Sequence, residues 1–176
     1  MLKRSAALLL PFVLAACAPS MMAPNASTAD GLYLQAVTGS NLFEIQSSQV
    51  ALQKSNTPAV RAYAQQMISD HTTAQNQVAA LAAARRVPLP PALPPELQLK
   101  VNTLSGLSGA AFDAAYIQEQ TLGHQFTVSI FQNELTAGKD AEVVAFANQN
   151  LPTIQQHLQA AQALGSGAAP AGHLGH

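Results

Sequence analysis

The sequence predicts an all-α domain: a four-helix bundle with one long, proline-rich crossover between its second and third helices. Three observations carry that expectation. The 176-residue chain is 48% hydrophobic but only 5% aromatic, with no tryptophan. Its commonest apolar residue is alanine, which has the best intrinsic helix propensity and a side chain short enough for helices to approach closely. Long proline-free runs carry apolar residues at helical spacing, and they are separated by short breaks near Asn56 and Gly138 and by one proline cluster over residues 87–95. A single cysteine excludes an internal disulfide and any Cys-rich metal cluster. A net charge of −1 supplies no basic footprint for nucleic acid.

The first helix is read over Asp30–Ser55, where Leu34, Val37, Ile45 and Leu52 recur at helical spacing. Thr57-Pro58 begins the second, with Thr57 able to cap and proline favoured at the first helical position. Val60, Ala64, Met67, Ile68, Ala74, Val78 and Leu81 continue one apolar face to about Arg86. The brief link makes these two helices antiparallel neighbours. The five prolines of residues 87–95 exclude helix there, and Glu96–Leu104 is long enough for a short helical piece. The third long helix starts near Ala110, with Phe112, Ile117, Val128, Phe131 and Leu135 on one side and Gly138 as its stop. Asp140 caps the fourth, which reaches Leu164 and contains Pro152, where a kink is expected. Short link, long crossover, short link is the connectivity of ferritin-like bundles.

The N-terminus carries an address. Lys3 and Arg4 precede a short apolar run, Ala6–Ala16, too brief to span a bilayer, and the run ends in Leu14-Ala15-Ala16-Cys17. This pattern resembles the bacterial lipobox, which implies cleavage before Cys17 and lipidation of its thiol. The expected organisation is a signal peptide over 1–16, the lipidated Cys17 and a flexible tether over 17–29, the bundle over 30–164, and a mobile Gly/Ala/Pro tail over 165–176 with His173 and His176. Without residues 1–16 the chain keeps six positive residues against nine acids, a charge of −3, so membrane contact is expected through acyl chains rather than anionic lipid. Ala18 stands where an inner-membrane retention Asp would, and the resemblance therefore implies an outer-membrane lipoprotein facing the periplasm of a Gram-negative cell.

Candidate functional residues are those that sit on apolar faces without belonging there. His71, His124 and His157 each lie among apolar neighbours at helical spacing, and each is the only histidine of its helix. Glu44 is the first helix's counterpart. Glu44 and His71 fall 13 residues before and 14 after Thr57, while His124 and His157 fall 14 before and 19 after Gly138, so all four come near mid-bundle at about 1.5 Å per residue. Three imidazoles and a carboxylate suit one divalent first-row metal such as zinc, iron, manganese or copper. The competing reading is a metal-free polar layer in which the histidines are satisfied by each other, Glu44, Ser48, Thr127 or buried water. A ferritin-type di-iron site is disfavoured, because Ile68 and Ile154 stand where a Glu-x-x-His pair needs glutamate. Asp70 points about 100° away from His71 around the helix, which suits a supporting acceptor or a surface charge rather than a ligand.

The ordered motifs Asn41-Leu-Phe-Glu44, Pro58-Ala-Val-Arg-Ala-Tyr-Ala-Gln-Gln-Met67, Asp70-His71, Leu104-Ser-Gly-Leu-Ser-Gly-Ala-Ala-Phe-Asp113, Tyr116, Gly138-Lys-Asp140 and Leu151-Pro-Thr-Ile-Gln-Gln-His-Leu158 resemble the ferritin-like bacterial domain of unknown function 4142. The resemblance covers about Asp30 to Leu164 and implies the fold and an envelope location. Members often carry an acid immediately before the second and third histidines, where this chain has Gly123 and Gln156. Two functions follow as expectations. One is an envelope-anchored, non-enzymatic lipoprotein that binds a partner or supports stress tolerance. The alternative is a periplasm-facing metal-binding protein that handles redox-active metal or peroxide. No nucleophile–base constellation, Gly-x-Ser-x-Gly, His-Glu-x-x-His or phosphate loop occurs, which argues against hydrolase chemistry.

Overall fold

The computed structural model describes residues 26–167. The expected signal peptide, Cys17, most of the tether, and the tail beyond residue 167 with His173 and His176 lie outside the described residues, while Gly165, expected to begin the tail, closes α5. Five helices and no strand occur among the described residues: α1 (Ala29–Lys54), α2 (Pro58–Arg85), α3 (Pro95–Ser105), α4 (Gly109–Ala137) and α5 (Ala141–Gly165). The four long helices form the expected bundle. α1 pairs with α2 and α4 with α5 through short turns, and the proline-rich segment with α3 crosses from the end of α2 to the start of α4. None of these helices is long and apolar enough to cross a membrane.

Local chemistry sets the helix ends. Thr28 caps α1 by accepting from the Gly31 N–H, and Asp140 caps α5 by accepting from the Glu142 and Val143 N–H groups, each satisfying donors that the helix leaves unpaired. Thr57 departs from expectation. Its side chain makes no cap hydrogen bond and instead donates to Asp113 Oδ2 at 2.6 Å, tying the α1–α2 turn to the start of α4. Gly138 ends α4 as expected, but not through a left-handed cap, since its φ is −59°. It is needed for space: a Cβ there would meet the Glu134 carbonyl oxygen at 2.6 Å and Val144 Cγ2 at 2.7 Å. α5 continues helical through Pro152.

α1 is buried over most of its surface because α2, α4 and the crossover surround it. Gly39 lets the crossover approach, with Pro94 Cγ 3.4 Å from the place a Cβ would take. More than half of α1's 26 residues are buried, among them Thr38, Asn41, Glu44, Ser47 and Ser48. An enclosed helix needs no single apolar stripe.

Two apolar clusters fill the bundle ends. Tyr33, Leu34, Val78, Phe131, Val143 and Phe146 pack at one end, and Val60, Met67, Leu104, Phe112, Tyr116 and Ala161 at the other. Each fully buried Leu or Phe contributes about 1.5–3 kcal/mol. Between the clusters lies a layer of polar side chains, and the candidate residues are in it.

Candidate metal centre

His71 on α2, His124 on α4 and His157 on α5 are each 1% exposed, and their ring centroids form a near-equilateral triangle with sides of 5.5, 5.3 and 5.4 Å. One nitrogen from each ring lies within 4.8 Å of those of the other two.

The hydrogen bonds on the far side of each ring fix its tautomer. His71 Nδ1 faces Asn41 Oδ1 at 2.9 Å. The Asn41 amide donates through Nδ2 to Gln75 Oε1, so its oxygen is the acceptor and His71 Nδ1 carries the proton. His124 Nδ1 donates to the Gln120 carbonyl at 2.8 Å, and His157 Nε2 donates to the Asp70 carboxylate at 3.0 Å. The remaining nitrogens, His71 Nε2, His124 Nε2 and His157 Nδ1, therefore hold lone pairs, and these three are buried without a hydrogen-bond partner. Three imidazoles, each donating outward through one ring nitrogen and turning the other toward its two neighbours, form the arrangement in which a metal-ligating histidine is held by its other ring nitrogen.

The electrostatics keep His71 and His124 neutral. Burial, followed by the neighbouring imidazoles of His124 and His157, holds His71 well below its ordinary pKa. Burial and His157 bring His124 down to about 4, against the Gln120 carbonyl bond that favours its proton. The hydroxyls that could have satisfied a metal-free layer are engaged elsewhere. Ser48 pairs with Tyr116 at 2.7 Å, and Thr127 donates to the Gly123 carbonyl at 2.9 Å and contacts Ser40.

Glu44 differs from the expected ligand set. It is buried beside the histidines, but its carboxylate lies 3.8 Å from His124 Nδ1, the proton-bearing side of that ring, and it is not part of the three-nitrogen group. Counting residues from a turn gives a level along the axis and leaves the direction around it open. Glu44 leans toward α4 because Gly123 leaves room there: a Cβ on Gly123 would meet Glu44 Oε1 at 2.9 Å. Burial pushes the Glu44 carboxyl up to about 8 against the stabilising Gln120 amide, so it is largely neutral at pH 7. Asp70, half-exposed, reaches from α2 across to His157 on α5 rather than to its sequence neighbour His71. Sequence reasoning missed Asn41 as the residue that orients His71; the signal available was an amide one turn before Glu44 on the same buried face. It also missed Glu134, buried at 2% exposure on the face of Phe131.

Residues 15–164 match the family described as Domain of unknown function (DUF4142). The chain belongs to that family. The chain is also similar in structure to a solved DUF305 fragment from Deinococcus radiodurans, with a TM-score of 0.71 and 19% identity over 81% of this chain and 99% of that one. At that identity the likeness shows a shared helical fold. No curated protein matches the chain.

Proposed function

We propose that this DUF4142 protein binds one divalent transition-metal ion through His71 Nε2, His124 Nε2 and His157 Nδ1, as part of a lipoprotein anchored by Cys17 in the outer membrane and facing the periplasm. The observation that carries the metal reading is the three facing, unpartnered lone pairs whose opposite nitrogens are all donating. Leaving three buried acceptors unpaired costs several kcal/mol by ordinary polar-burial values, and a single ion offsets all three. An imidazole-only donor set suits zinc, copper, iron or nickel rather than magnesium or calcium. Tetrahedral coordination at about 2.0–2.1 Å draws the nitrogens closer than the 4.8 Å limit within which they lie. With three protein ligands the ion keeps a further position for water or a small ligand.

Metal analysis of protein purified without a histidine tag tests the reading. Wild type is expected to hold one ion per chain, and the His71→Ala/His124→Ala variant none. A folded wild type that takes up no stoichiometric zinc, copper or iron on titration would overturn it. The anchor is tested separately by labelling with a fatty-acid analogue, where Cys17→Ala should lose the label.

A further inference from the structure

The end of the bundle away from the α1–α2 turn holds a pair of acids that the metal reading does not use. Asp30, in the first turn of α1, and Glu134, in the last turn of α4, are 3% and 2% exposed. Asp30 Oδ1 accepts from the Lys139 and Asp140 N–H groups of the α4–α5 turn, each at 2.8 Å. Glu134 folds back over the same turn, where a Cβ on Gly138 would collide with its Oε1. Its carboxyl lies within hydrogen-bonding reach of the Asp30 carboxyl, yet neither Glu134 oxygen has a donor to accept from.

Two ionised carboxylates offer each other only lone pairs, so a proton or a cation must lie between them. The surroundings favour the proton and place it on Glu134. Burial works against charge on Asp30, but the two backbone N–H bonds and Glu134 outweigh it and hold its carboxyl below the usual range. Burial, then the Asp30 charge and the bond to it, with Asp140 adding to them, push Glu134 up to about 8. From α1, the Tyr33 phenol also faces Glu134, and burial and that neighbour keep it protonated. From α2, Arg85 is taken up by Asp140 and Glu142. Lys139 meets Asp30 through its backbone N–H, and among the described residues no lysine or arginine side chain pairs with Asp30 or Glu134. No third carboxylate or imidazole converges on the pair among those residues either, as a cation held there would need.

We infer that Asp30 and Glu134 share one proton, that this proton latches the start of α1 to the α4–α5 turn, and that its loss in alkaline solution opens that end of the bundle. Without it, two buried negative charges stand at hydrogen-bonding range. α4 continues directly into the turn and α5, whereas α1 begins here, so the first turn of α1 is the part that yields to water. Residues 17–29, read as the tether, lead into that same turn of α1, which sets the latch between tether and bundle. The inference does not depend on the metal site.

Carbon-13 NMR of the side-chain carboxyls in the full chain tests it without any substitution. Glu134 is expected to titrate with a midpoint near 8, while Asp30 stays ionised at all pH values above about 4. In Asp30→Asn the side-chain oxygen still accepts from the turn and the new amide donates to Glu134, so the Glu134 midpoint should drop by about one pH unit or more. Amide hydrogen exchange reads the latch itself. Protection of the Lys139 and Asp140 N–H groups should fall about tenfold or more between about pH 6 and pH 9. Most of that fall should vanish in Glu134→Gln, which keeps a donor and cannot ionise. A Glu134 midpoint in the ordinary glutamate range, a midpoint that ignores Asp30→Asn, or level protection in wild type would each overturn the latch. So would full restoration of protection at alkaline pH by added calcium or magnesium, which would make a cation the partner of the pair.

Discussion

Replacing Asn41 by alanine tests the logic of the histidine triad without touching a candidate ligand. In the wild type Asn41 Oδ1 accepts the His71 Nδ1 proton at 2.9 Å and its amide donates to Gln75 at 3.1 Å. Truncation leaves the His71 N–H, 1% exposed, without its acceptor, at a cost of about 1–3 kcal/mol, while partly exposed Gln75 regains water at little cost. A net loss of about 2 kcal/mol corresponds to a drop of about 4–8 °C in melting temperature for a chain of this size. The same change frees the His71 ring to place its proton on Nε2, where the ion would bind, and loss of such an outer partner typically weakens metal affinity 10–100-fold. Thermal denaturation followed by circular dichroism gives the first quantity, and competition against a chromophoric zinc chelator gives the second. Asn41→Asp, which restores an acceptor, should return the affinity to wild type or better. If Asn41→Ala melted earlier yet bound zinc as tightly as wild type, the argument that Asn41 sets the tautomer would be refuted.

Further outcomes follow from the same geometry. In ion-free protein, Glu44 and Glu134, whose carboxyls burial pushes up to about 8, keep protons that the unfolded chain releases above about 4.5. Neutral His71 and His124 oppose this below about 6.5 by refusing protons that the unfolded chain takes up. The two effects offset one another between about pH 4.5 and 6.5, and stability then falls as pH rises from 6.5 to 8. Melting series of wild type and Glu44→Gln check this, with the variant expected to show a shallower fall; a wild-type melting temperature that climbs through that window would contradict it. Gly123→Ala forces Glu44 to move and should cost about 1–3 kcal/mol by overpacking, read by urea denaturation, with part of the loss recovered in the Gly123→Ala/Glu44→Ala double variant. Asp140→Ala removes the α5 cap and one of the two carboxylates on Arg85, and should cost about 2 kcal/mol in the same assay without changing metal content.

The helices were legible because their signals are local. Proline at residue 58, the proline cluster at 87–95 and the turn at Gly138-Lys139-Asp140 are visible in the order of residues, and the boundaries agree with the structure to within a residue or two. The three histidines were legible because a polar group among apolar neighbours at helical spacing has no local reason to be there. What stayed hidden depends on partners far apart in the chain. Thr57 gave up its capping role for Asp113, 56 residues away, and Asp70 found His157, 87 residues away. Glu44 was placed at the right depth but turned toward a space that exists only because residue 123 has no side chain. The apolar positions read on α1 account for only part of what it buries, because the helix is covered from several sides at once.

The layered core also bears on how the molecule comes apart. The apolar clusters above and below the histidines each draw on all the long helices, yet they are separated by side chains that favour water over oil. With the triad satisfied by an ion, the two ends would be tied through the waist and are expected to unfold as a unit. With it unsatisfied, the waist is expected to be the weakest plane of the bundle, so that either end could loosen while the other holds. An ion at this position would then govern the cooperativity of the fold as well as its stability, and its removal would broaden the unfolding transition rather than only lowering its midpoint.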